Sequence, residues 1–253
     1  MSPMPNDPAT PAQEPPKLAN EPVGRWRVTG KGVLAALLLS IVAEPFLEHF
    51  RAGLLIESVI FTSVLLLGVL AVGGKRRTLL TALVLLLPAV VCRWMNHATT
   101  QSGLLEGYLV FAVLTLGYVA WHFLTYIMGA RRVDSNVLCS GIATFLLLGF
   151  LWAFVYQLID RQIPGSFSWP GGAPASNEMK GPVAVYFSIV TLCTVGFGDV
   201  LPVSPMARMA AMLEGATGVF FVAVLISRLV SLHTVTQQER SHGEDRPSKP
   251  TLN

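Results

Sequence analysis

The chain has few charged residues for its length. Asp, Glu, Lys and Arg make up 13% of its 253 residues, whereas hydrophobic residues make up 52%. A soluble globular domain carries roughly 25% charged residues. The shortfall is concentrated in long apolar runs, and the mean hydropathy is +0.56. This distribution excludes a water-soluble protein with a large core and predicts an all-α integral membrane protein.

Cysteine and catalytic motifs are also scarce. The three cysteines, Cys92, Cys139 and Cys193, are too few and too scattered for a disulfide framework or a metal cluster, so we expect small buried hydrophobic residues. No nucleophile–base pairing, metal-ligand spacing or phosphate loop is recognisable, so neither an enzyme nor a cofactor is expected. The basic residues lie in small clusters between apolar runs, which indicates membrane topology and not nucleic-acid binding.

The two ends of the chain are polar. Residues 1–32 are proline-rich, and no cleavage pattern follows the first apolar run, which begins at Val33, so no signal peptide is expected. Segments of this composition bury too little apolar surface to offset their ordering entropy. We therefore predict disordered cytoplasmic tails at 1–32 and 233–253.

Six apolar runs approach the length of about 20 residues that a membrane-spanning helix needs. They are 33–50, 54–72, 78–95, 106–128, 136–159 and 206–230. The first four predict a four-helix membrane domain at 33–130, and the last two predict a second domain at 136–232. Between the last two, residues 182–193 are too short to span and begin with Pro182, which suits the first turn of a helix. This stretch predicts a re-entrant helix, which is acceptable only where protein buries its end.

The distribution of Lys and Arg predicts the orientation. With six spans and both termini in the cytoplasm, most of the 18 basic residues lie inside. The outer segments keep only Arg51, Arg93, Arg161, Lys180 and Arg208. This arrangement satisfies the positive-inside rule, and a seventh span would break it.

After the short helix, glycines alternate with other residues in Thr194-Val195-Gly196-Phe197-Gly198-Asp199. Glycine reaches backbone conformations that are closed to other residues, so Gly196 and Gly198 allow successive carbonyls to face one axis. Four copies around that axis would stack rings of oxygens that replace the hydration shell of a cation. The negative end of the short helix's dipole would favour the same cation.

This hexapeptide resembles the selectivity filter of the potassium channel superfamily, whose signature is Thr-Val-Gly-Tyr/Phe-Gly-Asp. The resemblance implies K+ ligands from the carbonyls of Thr194, Val195, Gly196 and Phe197 and from the Thr194 hydroxyl, with Gly198 at the outer mouth. It also implies that the chain forms a homotetramer in the lipid bilayer of a plasma membrane, specifically a bacterial inner membrane. K+ would be the permeant ion and not a cofactor. The alternative is a glycine-bearing outer loop of a transporter or an enzyme.

The resemblance also assigns supporting residues. It implies that Asp199 bonds toward the short helix and that Tyr186 and Phe187 support the filter. Two positions depart from the pattern. Val190 stands where some relatives carry a Glu that bonds the filter Asp, and Cys193 stands where Thr is common.

The last apolar run contains two glycines and a carboxylate. Gly218 lies where the family has a gating hinge, but small residues also serve helix packing, and packing is the preferred interpretation of Gly215. Glu214 could line a cavity or bond behind the filter, because a carboxylate in a membrane helix needs water or a partner. Arg208 is interpreted as a surface anchor.

The fourth run lacks the regular basic residues of a voltage sensor. Moving one charge across the membrane gains about 2.3 kcal/mol per 100 mV, so steep voltage gating needs several such residues. Only His122 precedes Arg131 and Arg132, so steep voltage gating is not expected.

The first four runs match the family only in number and orientation. Glu44 and Arg93 could bind a ligand or an ion, although snorkelling at the membrane edge is preferred for both. His122 could titrate near neutral pH, but no sensor role is assigned to it.

Three functions fit these features. The leading hypothesis is a passive, tetrameric potassium channel that is not steeply voltage-gated. The others are a subunit of a potassium uptake transporter, which usually carries four degenerate repeats in one chain, and a non-conducting membrane sensor that keeps the fold. An assembly other than a tetramer would favour the transporter, and an absence of flux would favour the sensor.

Overall fold

The computed structural model describes residues 30–47, 53–71, 76–99, 102–130, 134–170, 172 and 178–244. The predicted disorder of residues 1–29 and 245–253 falls outside this part of the chain, as do Arg131, Arg132 and the Glu44 side chain. Seven helices and two short strands are described. They are α1 (Gly30–Leu47), α2 (Gly53–Ala71), α3 (Arg76–Ala98), α4 (Ser102–Gly129), α5 (Ser135–Gln162), β1 (Phe167–Ser168), α6 (Gly181–Leu192), β2 (Leu201–Pro202) and α7 (Pro205–Glu244).

The helices follow the apolar runs closely, with one clear difference at the C-terminal end. The predicted disordered tail begins at residue 233, but α7 continues to Glu244. Residues 30–32, predicted as part of the N-terminal tail, likewise belong to α1. Once a helix has been nucleated, each added residue gains a hydrogen bond at little cost, so α7 extends past its apolar segment.

Among the described residues, four helices contain segments that are long and apolar enough to cross a membrane. These segments are Arg77–Asn96, Gly103–Gly129, Ser135–Gln162 and Pro205–Ser231. α1 and α2 contain shorter apolar segments, Gly30–Ala43 and Ser58–Leu70. The chain is therefore a predominantly helical, multi-pass membrane protein.

Helix α5 lies at the centre of the fold and contacts α1, α4, α6 and α7. It begins where the Asp134 side chain caps the helix by accepting a hydrogen bond from the Val137 amide at 2.8 Å. Aromatic residues join it to the first helices, since Phe61 of α2 packs edge-on against Phe150 and Phe154 of α5. Through these contacts the core of the first four helices packs against α5.

A short pair of strands fixes the segment on either side of α6. β1 pairs with β2 antiparallel, with Phe167 opposite Pro202 and Ser168 opposite Leu201. The Val203 amide also donates to the Ser166 carbonyl at 2.8 Å. The chain that leaves residues 194–199 is thereby tied to the end of α5.

Candidate ion-conducting site

Helix α6 precedes the hexapeptide, residues 194–199, and positions it. It begins after Lys180 with Pro182 in its first turn and ends at Cys193. Twelve residues of helix are about 18 Å long, well short of a hydrocarbon core of about 30 Å. One side of α6 is buried against the rest of the chain, through Ala184, Val185, Phe187, Ser188 and Leu192. The hexapeptide follows directly from the C-terminal end of this helix.

The backbone of the hexapeptide alternates between two conformations. Thr194, Gly196 and Gly198 have positive φ angles of 58°, 56° and 80°, whereas Val195 and Phe197 between them do not. Left-handed residues that alternate with other residues allow successive carbonyls to turn toward one side. The sequence predicted this freedom for the glycines but not for Thr194, where a β-branched residue adopts a strained conformation.

Amide groups at the start of the hexapeptide donate hydrogen bonds, whereas the carbonyls of its first four residues accept none from the described residues. The Thr194 amide donates to the Thr191 carbonyl, and the Val195 amide donates to the Val190 carbonyl, both at 2.9 Å. Within the described part of the chain, no carbonyl from Thr194 to Phe197 accepts a hydrogen bond, and all of these residues are exposed. Exposed carbonyls that accept no hydrogen bond are available as ligands for a dehydrated cation.

Tyr186 lies against the hexapeptide. Its hydroxyl donates to Asp199 Oδ2 at 2.8 Å, and its ring stacks parallel to that of Phe197, with centroids 6.3 Å apart. The hydrogen bond to Asp199 raises the pKa of the Tyr186 phenol. Asp199 also accepts from the Val200 amide at 3.1 Å. The structure therefore brings Tyr186 and Asp199 together at the C-terminal end of the hexapeptide.

Phe187 does not share this position. Consecutive helix residues point about 100° apart, so Phe187 faces away from Tyr186. It is buried and packs against Tyr156 of α5 and Phe167 of β1, with centroids 4.9 and 5.6 Å away. The described aromatic contacts of Phe187 join α6 to α5 and β1, and its predicted support of the hexapeptide stays a prediction.

Glu214 lies behind α6 and is completely buried. The Tyr156 hydroxyl is hydrogen-bonded to Glu214 Oε2, and Ser188 Oγ lies 2.5 Å from Glu214 Oε1. Of the two positions that the sequence left open, the structure shows the one behind the hexapeptide. Tyr156 and Ser188 were missed at the sequence level. The available signal was that a carboxyl group in an apolar helix needs polar partners on neighbouring helices.

The two glycines of α7 differ in their surroundings. A Cβ atom at Gly218 would overlap the backbone carbonyl oxygen of Leu192, at the end of α6, whereas one at Gly215 would meet nothing within 4 Å. Within the described chain Gly218 is therefore a packing glycine, and the packing role of Gly215 stays a prediction. The hinge function of Gly218 stays a prediction.

Polar residues of the first four helices and of the α7 surface have partners of their own. Arg93 Nε donates to Ser58 Oγ at 2.9 Å, and the guanidinium lies 5.1 Å from the centre of the Tyr108 ring. These contacts tie Arg93 to α2 and α4. The His122 ring lies 4.6 Å from that of Tyr118. Arg208, which is exposed, donates to the Pro202 carbonyl at 3.2 Å.

Comparison with known proteins identifies this region. The family described as "Ion channel" matches residues 142–234. "Two pore potassium channel c" of Oryza sativa subsp. japonica is 42% identical over 85 residues, 32% of this chain and 19% of that protein. "Calcium-gated potassium channel TvoK" of Thermoplasma volcanium is 25% identical over 132 residues, 51% of this chain and 35% of that protein. "Inward rectifier potassium channel Kirbac3.1" of Paramagnetospirillum magnetotacticum is 28% identical over 117 residues, 43% of this chain and 35% of that protein.

The fold and the comparisons thus describe a multi-pass membrane protein that contains an ion channel domain. The matched part of the chain, residues 142–234, belongs to the potassium channel superfamily. The chain spans about a fifth to a third of the length of these curated relatives.

Proposed function

We propose that this chain is one subunit of a potassium-selective channel that lets K+ permeate passively. Four copies would surround one pore, lined by the carbonyls of Thr194, Val195, Gly196 and Phe197. The observation that carries the proposal is the alternating backbone at residues 194–198, with free carbonyls that extend from the end of a short helix. Three relatives whose names describe potassium channels support the choice of ion.

A homotetramer is favoured because one chain supplies only one wall of a pore. The carbonyls of a single hexapeptide cannot surround a cation, whereas four symmetric copies can replace its hydration shell. Large apolar side chains on α7 are also exposed in the single chain, including Met212 at 68% and Phe220 at 69%. Such a surface suits contact with further copies of the chain or with lipid.

We further propose six spans with both termini in the cytoplasm. α1 and α2 have 18 and 19 residues, which corresponds to about 27–29 Å of helix and nearly matches a hydrocarbon core of about 30 Å. α6 would then enter from the outer side and turn back, with the strand pair above it. The positive-inside distribution of Lys and Arg supports this orientation.

Gating by steep voltage dependence is not part of the proposal. α4 contains no Lys or Arg over its 28 residues. A helix without such charges cannot couple strongly to the membrane potential.

Ion flux from liposomes that contain the purified protein tests the proposal. We expect K+ efflux that barium blocks, with much slower Na+ flux, from a protein that native mass spectrometry shows to be a tetramer. Gly196→Ala should abolish K+ flux, because the residue needs a φ angle of +56° that a Cβ atom disfavours. Gly103→Ala is the matched control, since it changes a helical glycine with open space around it.

Two results would contradict the proposal. Equal permeation of Na+ and K+ would remove the selectivity, and unchanged flux through Gly196→Ala would exclude residues 194–198 as the conducting segment.

A further inference from the structure

Three helices of the proposed pore domain meet at one buried polar cluster. Tyr156 of α5, Ser188 of α6 and Glu214 of α7 each have no exposed surface or almost none. Ser188 Oγ lies 2.5 Å from Glu214 Oε1 and 2.6 Å from the Gly149 carbonyl oxygen, while the Tyr156 hydroxyl contacts Glu214 Oε2. The cluster therefore contains three contacts between oxygen atoms, all at hydrogen-bond distance.

The number of protons in this cluster follows from its geometry. Each contact needs one proton, because two oxygens that approach this closely without a proton repel each other. The Tyr156 and Ser188 hydroxyls supply one proton each, and the Gly149 carbonyl supplies none. An ionised Glu214 would leave one contact without a proton. A protonated Glu214 supplies the third.

Only one arrangement then satisfies every atom. The Tyr156 hydroxyl donates to Glu214 Oε2, the carboxylic acid donates from Oε1 to Ser188 Oγ, and the Ser188 hydroxyl donates to the Gly149 carbonyl. The chain of hydrogen bonds runs in one direction from α5 through α7 and α6 and back to α5. A buried network in which every member is matched fixes the elements that it joins.

The surroundings of Glu214 agree with a neutral acid. An ionised carboxylate that is removed from water needs a cationic partner. Among the described residues, the ion pairs join Arg161 to Glu106 and Lys180 to Glu178, and neither pair includes Glu214. The titratable group that faces Glu214 from α5 is Tyr156. Arg208 of α7 donates instead to the Pro202 carbonyl.

We propose that Glu214 is a protonated carboxylic acid that holds α7 against α5 and α6, and that it is a positioning residue for the hexapeptide. It acts through Ser188, one turn before the end of α6, from which residues 194–199 extend. It lies one turn before Gly218, so the outer part of α7 is held to α6 above the predicted hinge. Because the group is neutral, it positions the segment by hydrogen bonding and does not attract K+ by charge. This last consequence rests on the proposed function, whereas the protonation state does not.

Infrared spectroscopy of the reconstituted protein at pH 7 tests the protonation state. We expect a carbonyl stretch of a protonated carboxylic acid that shifts in deuterated water and disappears in Glu214→Gln. Glu178→Gln is the matched control, because it changes an exposed carboxyl group beside Lys180 and should leave that band in place. Absence of the band from the unmodified protein, or its persistence in Glu214→Gln, would overturn the proposal. This measurement needs no ion flux, so its result does not depend on whether the protein conducts ions.

The positioning role is tested by comparing Glu214→Gln with Glu214→Ala. Gln keeps one donor toward Ser188 and one acceptor for Tyr156, so the K+/Na+ selectivity of flux should stay within about twofold of the unmodified protein. Ala leaves buried groups unmatched and should lower K+ flux or selectivity by about tenfold or more. A loss in Glu214→Gln equal to that in Glu214→Ala would show that an uncharged hydrogen-bonding group does not position the segment, and it would overturn the proposal. If Glu214→Ala does not assemble, Ser188→Ala replaces it, and the same comparison with Glu214→Gln decides.

Discussion

The leading half of the molecule, α1–α4, and the C-terminal half, α5–α7, use their polar side chains differently. Among the described residues of the leading half, most hydroxyls bond to a carbonyl of their own helix, as Thr62 does to Ser58 and Thr115 to Phe111. Two bonds there join helices, from Arg93 to Ser58 and from Tyr118 to the Thr78 carbonyl. In the C-terminal half, side chains such as Ser188 and Tyr186 join one element to another. A bond within one helix adds nothing to helix packing, whereas a bond between elements fixes their distance.

This difference matches what each half has to do. Apolar contacts tolerate small shifts and substitutions of similar volume. A set of carbonyl ligands has to be held within about 0.5 Å, which needs directional contacts from a supporting shell. In the half that resembles known channels, such directional bonds between elements lie next to the hexapeptide and the short helix before it.

The largest difference between the two halves is expected from Gly218→Ala. The new Cβ would overlap the Leu192 carbonyl oxygen, a backbone atom that can move only if α6 moves. We expect a destabilisation of about 2 kcal/mol, within the range for overpacking, in spite of the better helix propensity of Ala. Thermal unfolding in detergent measures the effect, and K+ flux should fall with it.

Gly117→Ala in the leading half is the matched control for that substitution. Its Cβ would lie 3.5 Å from Leu151 Cδ1, an ordinary contact with a flexible side chain. We expect no loss of stability. If both variants were equally stable, the contact between α6 and α7 would be no more restrictive than the contact between α4 and α5.

A second effect concerns the link between the halves. Arg228 Nη2 of α7 donates to the carbonyls of Met128 and Ala130 at the end of α4, both at 2.8 Å. A cation at the C-terminal end of a helix also interacts favourably with its dipole. Arg228→Gln removes the charge, and we expect the unfolding free energy to fall by about 1 kcal/mol.

The conservative variant separates charge from geometry. Arg228→Lys keeps the charge, so it should recover roughly half of the loss measured by thermal unfolding. If Arg228→Gln were as stable as the unmodified protein, the contact between α7 and the end of α4 would not hold the two halves together.

A contrast between local signals and contacts of distant residues explains which features could be predicted from the sequence. The helices and the hexapeptide have local signals in the sequence, namely the length of the apolar runs and the alternation of Gly196 and Gly198. The predicted helices agree with those of the structure within a few residues over most of the described chain. The partners of Glu214 have no local signal, since Tyr156 lies 58 residues away and Ser188 lies 26 residues away. The positive φ of Thr194 was also not predictable, because the surrounding contacts impose it against the preference of the residue.

The smallest effect is expected at neutral pH from Tyr186→Phe, which removes the hydrogen bond to Asp199 but keeps the stack on Phe197. Because this bond raises the pKa of Tyr186, its contribution is fully present below the ordinary tyrosine pKa of about 10 and is lost as the pH rises through the higher folded value. We therefore expect the unmodified protein to conduct K+ evenly from pH 6 to 9 and to lose sustained flux only at more alkaline pH.

Tyr186→Phe should show a modest loss of sustained flux at all of these pH values and no separate alkaline loss, since it has no phenol to ionise. Flux from liposomes over a pH series checks both expectations. The same alkaline loss in both proteins would assign it to another group, and the bond between α6 and the hexapeptide would then be no more important to conduction than the bonds within single helices of the leading half.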